Sequence, residues 1–135
     1  MGMTEHFNEK IRQLLDGRNV ATVATIGADG GPHTSVVWIG RDGDTVLFSS
    51  TAERQKVRNL RRDPRVSLTV FAADNPYQSV DIRGTAELVE DPEKALPETL
   101  SQKYLGQSYP PEPPETRRFT VRVTPRRITS FGLDE

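Results

Sequence analysis

The chain has 135 residues, a formal net charge of −1, 34% apolar and 27% charged residues, and no cysteine. That length suits one domain with a real core and is too short for two comfortable ones. The near-neutral balance removes the general field that draws a chain to nucleic acid or membrane, and the missing thiols exclude disulfide staples, thiolate nucleophiles and cysteine-bound zinc.

No apolar run approaches the roughly 18–20 residues of a membrane span. The opening stretch, MGMTEHFNEK, is charged and lacks a signal-type apolar core. A soluble, cytoplasmic, single domain over residues 1–135 is expected. The spacing of Phe7, Ile11, Leu14 and Leu15 predicts an amphipathic helix over 4–16, capped by Thr4 and stopped at Gly17.

From Val20 the pattern turns to β. Strands are expected at Val20–Ile26, His33–Ile39 and Thr45–Ser49, joined by turns at 27–32 and 41–44. Ser50 or Thr51 then caps a helix with Glu53 in its first turn and Val57 and Leu60 on its buried face, ended by Asp63-Pro64. Arg65–Phe71 and Tyr77–Leu88 follow as strands, the second interrupted by Gly84, a bulge or barrel corner. Asp91-Pro92-Glu93 opens a helix to about Leu105 that Pro97 kinks or divides, and 106–115 is a proline-rich connector. Arg117–Thr124 and Arg126–Phe131 close the chain as two strands around Pro125. Six or seven antiparallel strands with two or three helices call for a closed or split barrel, which hides sheet edges.

Catalytic parts are scarce. The two histidines, His6 and His33, are far apart, and no HExxH, GxSxG, Walker A or GxGxxG pattern occurs. Any chemistry would have to come from a bound cofactor. The densest local feature is residues 50–65, which hold six basic side chains: Arg54, Lys56, Arg58, Arg61, Arg62 and Arg65. Hydroxyls before a helix start, followed by Arg54 and Lys56, form a set that a phosphate can accept from: Ser50, Thr51, Arg54 and Lys56. The same composition also describes a solvated helix face. A nucleic-acid patch is disfavoured by the lack of interleaved aromatics.

Val20–Thr25, Asp29–Trp38, Leu47–Thr51, the Arg54-x-Lys56 pair, Asn59–Val66, Asn75–Gln78 and Ile82–Ala86 occur in an order that resembles a known family. It is the pyridoxamine 5′-phosphate oxidase-like (PPOX-class) split-barrel flavin/deazaflavin-binding family, and within it the coenzyme F-420-dependent oxidoreductases. The resemblance implies a mainly β fold, a split β-barrel of the FMN-binding type with peripheral helices, working as a homodimer with cofactor at the interface. It places Ser35, Val36, Val37 and Trp38 along the ring and ribityl chain. Ser50, Thr51, Arg54 and Lys56 would hold the phosphate, and Tyr77, Gln78 and Ser79 would arrive from the other subunit. It implies no catalytic side chain, no metal, and no nucleic-acid or membrane partner.

The cofactor implied is coenzyme F-420, with FMN as the alternative. Arg58, Arg62 and Arg65, at spacings of four and three, share a stripe that would meet the carboxylate tail of F-420. The implied function is an oxidoreductase that passes hydride from reduced F-420 to a small conjugated acceptor. The alternatives are an FMN-binding pyridoxamine-phosphate-oxidase-like protein, or a binding or storage protein without turnover. The ending Phe131–Glu135 and Ser35, where the true oxidases resemble one another in carrying arginine, both depart from those oxidases.

Overall fold

The structure, a computed structural model, describes residues 6–134. Its elements in chain order are α1 (Glu9–Asp16), β1 (Ala21–Ile26), β2 (Pro32–Val37), β3 (Gly40–Asp42), β4 (Thr45–Thr51), α2 (Gln55–Arg62), β5 (Arg65–Ala72), β6 (Asn75–Glu90), α3 (Ala95–Leu105) and β7 (Arg118–Phe131). Seven strands form one sheet in the order β2-β1-β5-β6-β7-β4-β3. Its ladders are antiparallel, and no ladder joins β2 to β3 among the described residues. The long central strands curl the sheet around a core built on alternate residues: Val23, Leu68, Val70, Val80, Ile82, Val121 and Val123, with Phe48 from β4. Each such side chain contributes about 1.5–3 kcal/mol on burial. Phe7, Ile11 and Leu15 close one end of this core.

The curl depends on Gly84. The register shifts between Arg83 and Gly84, and a Cβ at Gly84 would lie 2.1 Å from the Thr124 carbonyl oxygen. Pro125 sits directly opposite, at the one place where the ladder needs no donor from it. The two closing strands expected around Pro125 are therefore one continuous strand, β7.

Helix starts also differ from expectation. In α1 the cap is Asn8, whose side chain accepts from the Ile11 N–H, and helix begins at Glu9. The expected Thr4 cap lies outside the described residues. In α2 neither Ser50 nor Thr51 caps, because both belong to β4 and pair with β7. Arg54 occupies the cap position without a side-chain bond, so Glu53 precedes the helix. In α3 the Asp91 carboxylate accepts from the Ala95 and Leu96 N–H groups at 3.0 Å each, and Lys94 turns through φ 56°. Helix thus starts four residues after Asp91. Pro97 falls in its first turn, where no N–H is required, and neither kinks nor divides it.

Helix α2 is bolted to the sheet by one polar residue. Asn59 is fully buried, donates to Thr25 Oγ1 at 3.0 Å, and accepts from Gln55 at 2.8 Å and Arg62 at 3.0 Å. On the other side of the sheet Val36, Phe71 and Phe131 stay exposed. None of the described helices is long and apolar enough to cross a membrane.

Candidate functional site

A cleft of about 260 Å³ opens between the end of β2, the start of α2 and the first turns of α3. Ser35, Val36, Val37 and Trp38 form one wall, Arg54 and Lys56 another, and Pro97 and Leu100 a third. Ser49, Tyr109 and Arg118 complete it.

Lys56 gives the cleft its character. Its side chain is 94% hidden, yet no carboxylate or carbonyl among the described residues pairs with its ammonium. Burial, reinforced by the nearby Arg54 charge, pushes its pKa below the ordinary lysine value. A partly desolvated cation that opens on a cleft without a partner becomes more favourable when an anion joins it. Ser35 points the same way: its hydroxyl oxygen is buried without a hydrogen-bond partner. A phosphate oxygen supplies what both groups lack, so these residues fit a phosphorylated cofactor.

Trp38 is held flat against Tyr104, with ring centroids 5.2 Å apart and planes 6° from parallel. The Tyr104 hydroxyl donates to the Asn19 carbonyl at 2.6 Å and accepts from the Ile39 N–H at 3.2 Å. Beneath it, Lys103 donates to the Leu15 and Ile39 carbonyls at 2.8 and 2.7 Å. Burial pushes Lys103 down to about 8 against the pull of Asp16. Trp38 therefore packs on α3 and lines the cleft at once, a rigid apolar surface suited to a planar ring.

Arg118 shapes the far wall. It donates to Ser49 Oγ at 3.2 Å, to the Tyr109 hydroxyl at 2.6 Å and to both Glu112 oxygens at 2.7 and 3.1 Å. Burial opposes its charge, but the bonds and charges of Glu112 and Tyr109 prevail and keep its pKa above the usual value. The proline-rich connector is thereby tied down beside the cleft, with Lys94 adding a bond to the Pro113 carbonyl at 3.1 Å.

Six sequence-predicted residues thus meet in one cleft: Ser35, Val36, Val37, Trp38, Arg54 and Lys56. Ser50 does not line it; its hydroxyl donates to the Thr51 carbonyl at 3.1 Å, and strand alternation presents Ser49 instead. Thr51 is also absent from the lining. Tyr77, Gln78 and Ser79 lie near the start of β6, where Gln78 borders a different cleft with Lys10, Gln13 and Leu133. Gly132, at φ 73°, lets the chain end pass against the Tyr77 carbonyl. Sequence reasoning missed Ser49, Pro97, Leu100, Tyr109 and Arg118. Only the register of β4 on β7 brings Arg118 near Ser49, and no local pattern signals it.

A family model described as pyridoxamine 5′-phosphate oxidase matches residues 7–131. The chain belongs to this family. Members bind flavin, and those it resembles include oxidoreductases. A pyridoxine/pyridoxamine 5′-phosphate oxidase of Cupriavidus metallidurans is 34% identical over 88 residues, 64% of this chain and 41% of that protein. The match thus spans about two-fifths of that relative. Among solved structures, an F-420 reductase superposes with a TM-score of 0.83 at 31% identity, covering 91% of this chain and 98% of that one. A conserved hypothetical protein of Mycobacterium tuberculosis gives 0.76 at 30% identity, covering 96% and 86%.

Proposed function

We propose that this family member binds a phosphorylated flavin-type cofactor in the Lys56 cleft and acts as an oxidoreductase. In this reading coenzyme F-420 is the cofactor and a small conjugated molecule accepts hydride from it. The observation that carries the reading is the largely buried Lys56 stem, whose unpaired ammonium opens on the cleft beside Arg54 and the orphaned Ser35 hydroxyl.

The chain's own residues bind and orient. Lys56 and Arg54 hold the phosphate, Ser35 donates its hydroxyl hydrogen to a phosphate or ribityl oxygen, and Trp38 supports the ring. When bound, the reduced cofactor supplies the hydride, which explains why no acid–base constellation is needed.

Preference for F-420 rests on the relatives, not on the arginine stripe. Arg58 donates to Gln55 at 2.6 Å, Arg62 to the Ile26 carbonyl and Asn59 at 3.0 Å each, and Arg65 to Asp63 at 3.0 and 2.8 Å. Those three guanidiniums already have partners, so a carboxylate tail would compete for them. The similar F-420 reductase, covered almost entirely, supports the deazaflavin. The oxidase relatives support FMN as the second reading.

A second copy of the chain completes the site in this proposal. A cleft of 260 Å³ falls below the roughly 300–1,000 Å³ of pockets that bury a drug-sized ligand. Tyr77 and Gln78 lie outside that cleft in their own chain, and Val36 on its wall is 65% exposed. The test is anaerobic mixing of the protein with reduced F-420 or reduced FMN and a quinone or enone, following cofactor reoxidation. Turnover with F-420 is expected. Turnover with FMN alone overturns the cofactor assignment, and tight binding without turnover leaves a storage protein.

A further inference from the structure

A cleft larger than the Lys56 cleft, about 550 Å³, lies elsewhere and has no role in the proposed function. Its floor is apolar, built from Ala24, Ile26 and Pro32, and its rim carries Arg65, Arg83, Arg126 and Arg127. Arg65 is held by Asp63. The other three arginines have no carboxylate, carbonyl or ring partner among the described residues.

Their placement is costly to the fold. Arg83 on β6 and Arg127 on β7 stand directly opposite each other in the ladder, both on its exposed face. Like charges at such a cross-strand pair are destabilising, because the side chains leave the sheet about 5 Å apart. The nearest acid along β6 on that face, Asp81, accepts from Thr69 at 2.6 Å and makes no ion pair with either arginine. A local rule broken without internal compensation marks a functional site more often than a structural one. Two guanidinium forks at this separation suit a single phosphate or carboxylate, which would convert the repulsion into charge-assisted hydrogen bonds.

We infer that this cleft is a second binding site, separate from the Lys56 cleft, for a small molecule with an apolar body and a phosphate or carboxylate head. Arg83 and Arg127 grip the head, Arg126 reinforces it, and the body lies on Ala24, Ile26 and Pro32. The inference does not depend on the cofactor reading.

The test uses 1-naphthyl phosphate, with 1-naphthol and inorganic phosphate as its two halves, titrated calorimetrically into the full chain. Binding of 1-naphthyl phosphate is expected to be at least tenfold tighter than that of either half. Arg83→Gln and Arg127→Gln should each weaken it at least fivefold, and in Lys56→Met a binding component that still responds to these arginines should remain. Both arginine variants should keep or raise the melting temperature, since each removes one member of a repelling pair. Undetectable binding at millimolar concentration overturns the inference, as does affinity indifferent to both arginines. Loss of binding in Lys56→Met instead would place the probe in the cofactor cleft and overturn it equally. A fall in melting temperature in both arginine variants would show that the pair serves the fold.

Discussion

Lys56→Met separates what the Lys56 charge does for the fold from what it does for a ligand. In the free protein Lys56 is 6% exposed and unpaired, and burial depresses its pKa. Methionine keeps the length of the stem and removes the charge, so the variant should be as stable as the parent or more so. Cofactor affinity should move the other way. One charge-assisted hydrogen bond to phosphate is worth about 1.5–3 kcal/mol, or roughly ten- to 150-fold in dissociation constant. Calorimetry with FMN and with F-420, alongside thermal unfolding of the free protein, reads both effects. A variant that melts lower and binds as tightly as the parent would show Lys56 to be a structural lysine and refute the reasoning.

Other outcomes follow from the same geometry. Arg54 is exposed, so Arg54→Ala should weaken binding less than Lys56→Met, and the loss should shrink as salt rises from 50 to 500 mM, a range of about tenfold that screens exposed charges; titrations at the two salt levels check it. Asn59→Ala leaves the buried Thr25 hydroxyl without its partner and should cost about 1–3 kcal/mol in chemical denaturation. Gly84→Ala drives a methyl group into the Thr124 carbonyl and should cost about 2–4 kcal/mol or abolish soluble expression, read by the same denaturation curves. For Lys103 the folded pKa of about 8 lies below the ordinary lysine value of 10.5, so the unfolded chain binds the proton more tightly. The burial penalty is present in full below about pH 8 and is relieved as pH rises towards 10.5. Stability relative to Lys103→Met should therefore improve between pH 8 and 9.5, measured by thermal melts of the two proteins.

The strands were legible because their alternation is strong and their turns carry glycine, aspartate and proline. Their antiparallel sense follows from short connections. The three-residue β3 has too few positions to alternate and could not be seen. Pro125 looked like a break because a proline inside a strand lacks a ladder donor; Gly84 opposite it supplies the bulge that makes the break unnecessary. The start of α2 was misread because Ser50 and Thr51, which look like caps, belong to β4. Asp91 does cap α3, but through its side chain from four residues upstream.

The candidate cleft was legible at Arg54 and Lys56, because two cations next to a helix start are a local pattern. What distinguishes them was not. Only the folded chain shows that Lys56 is buried and unpaired while the later arginines are occupied. Arg118 and Tyr109 come from a strand and a connector that no spacing rule links to residues 35–56. The contact of Trp38 with Tyr104, 66 residues apart by their numbers, is likewise a product of the docking of α3.

The central claim is that the Lys56 cleft receives a phosphorylated flavin-type cofactor, and Trp38 reports on it directly. It is the chain's single tryptophan, and it lines the cleft. Titrating the protein with F-420 and with FMN while following its fluorescence should give saturable quenching at micromolar or lower concentration, tighter for F-420. No quenching by either cofactor at those concentrations would contradict the account.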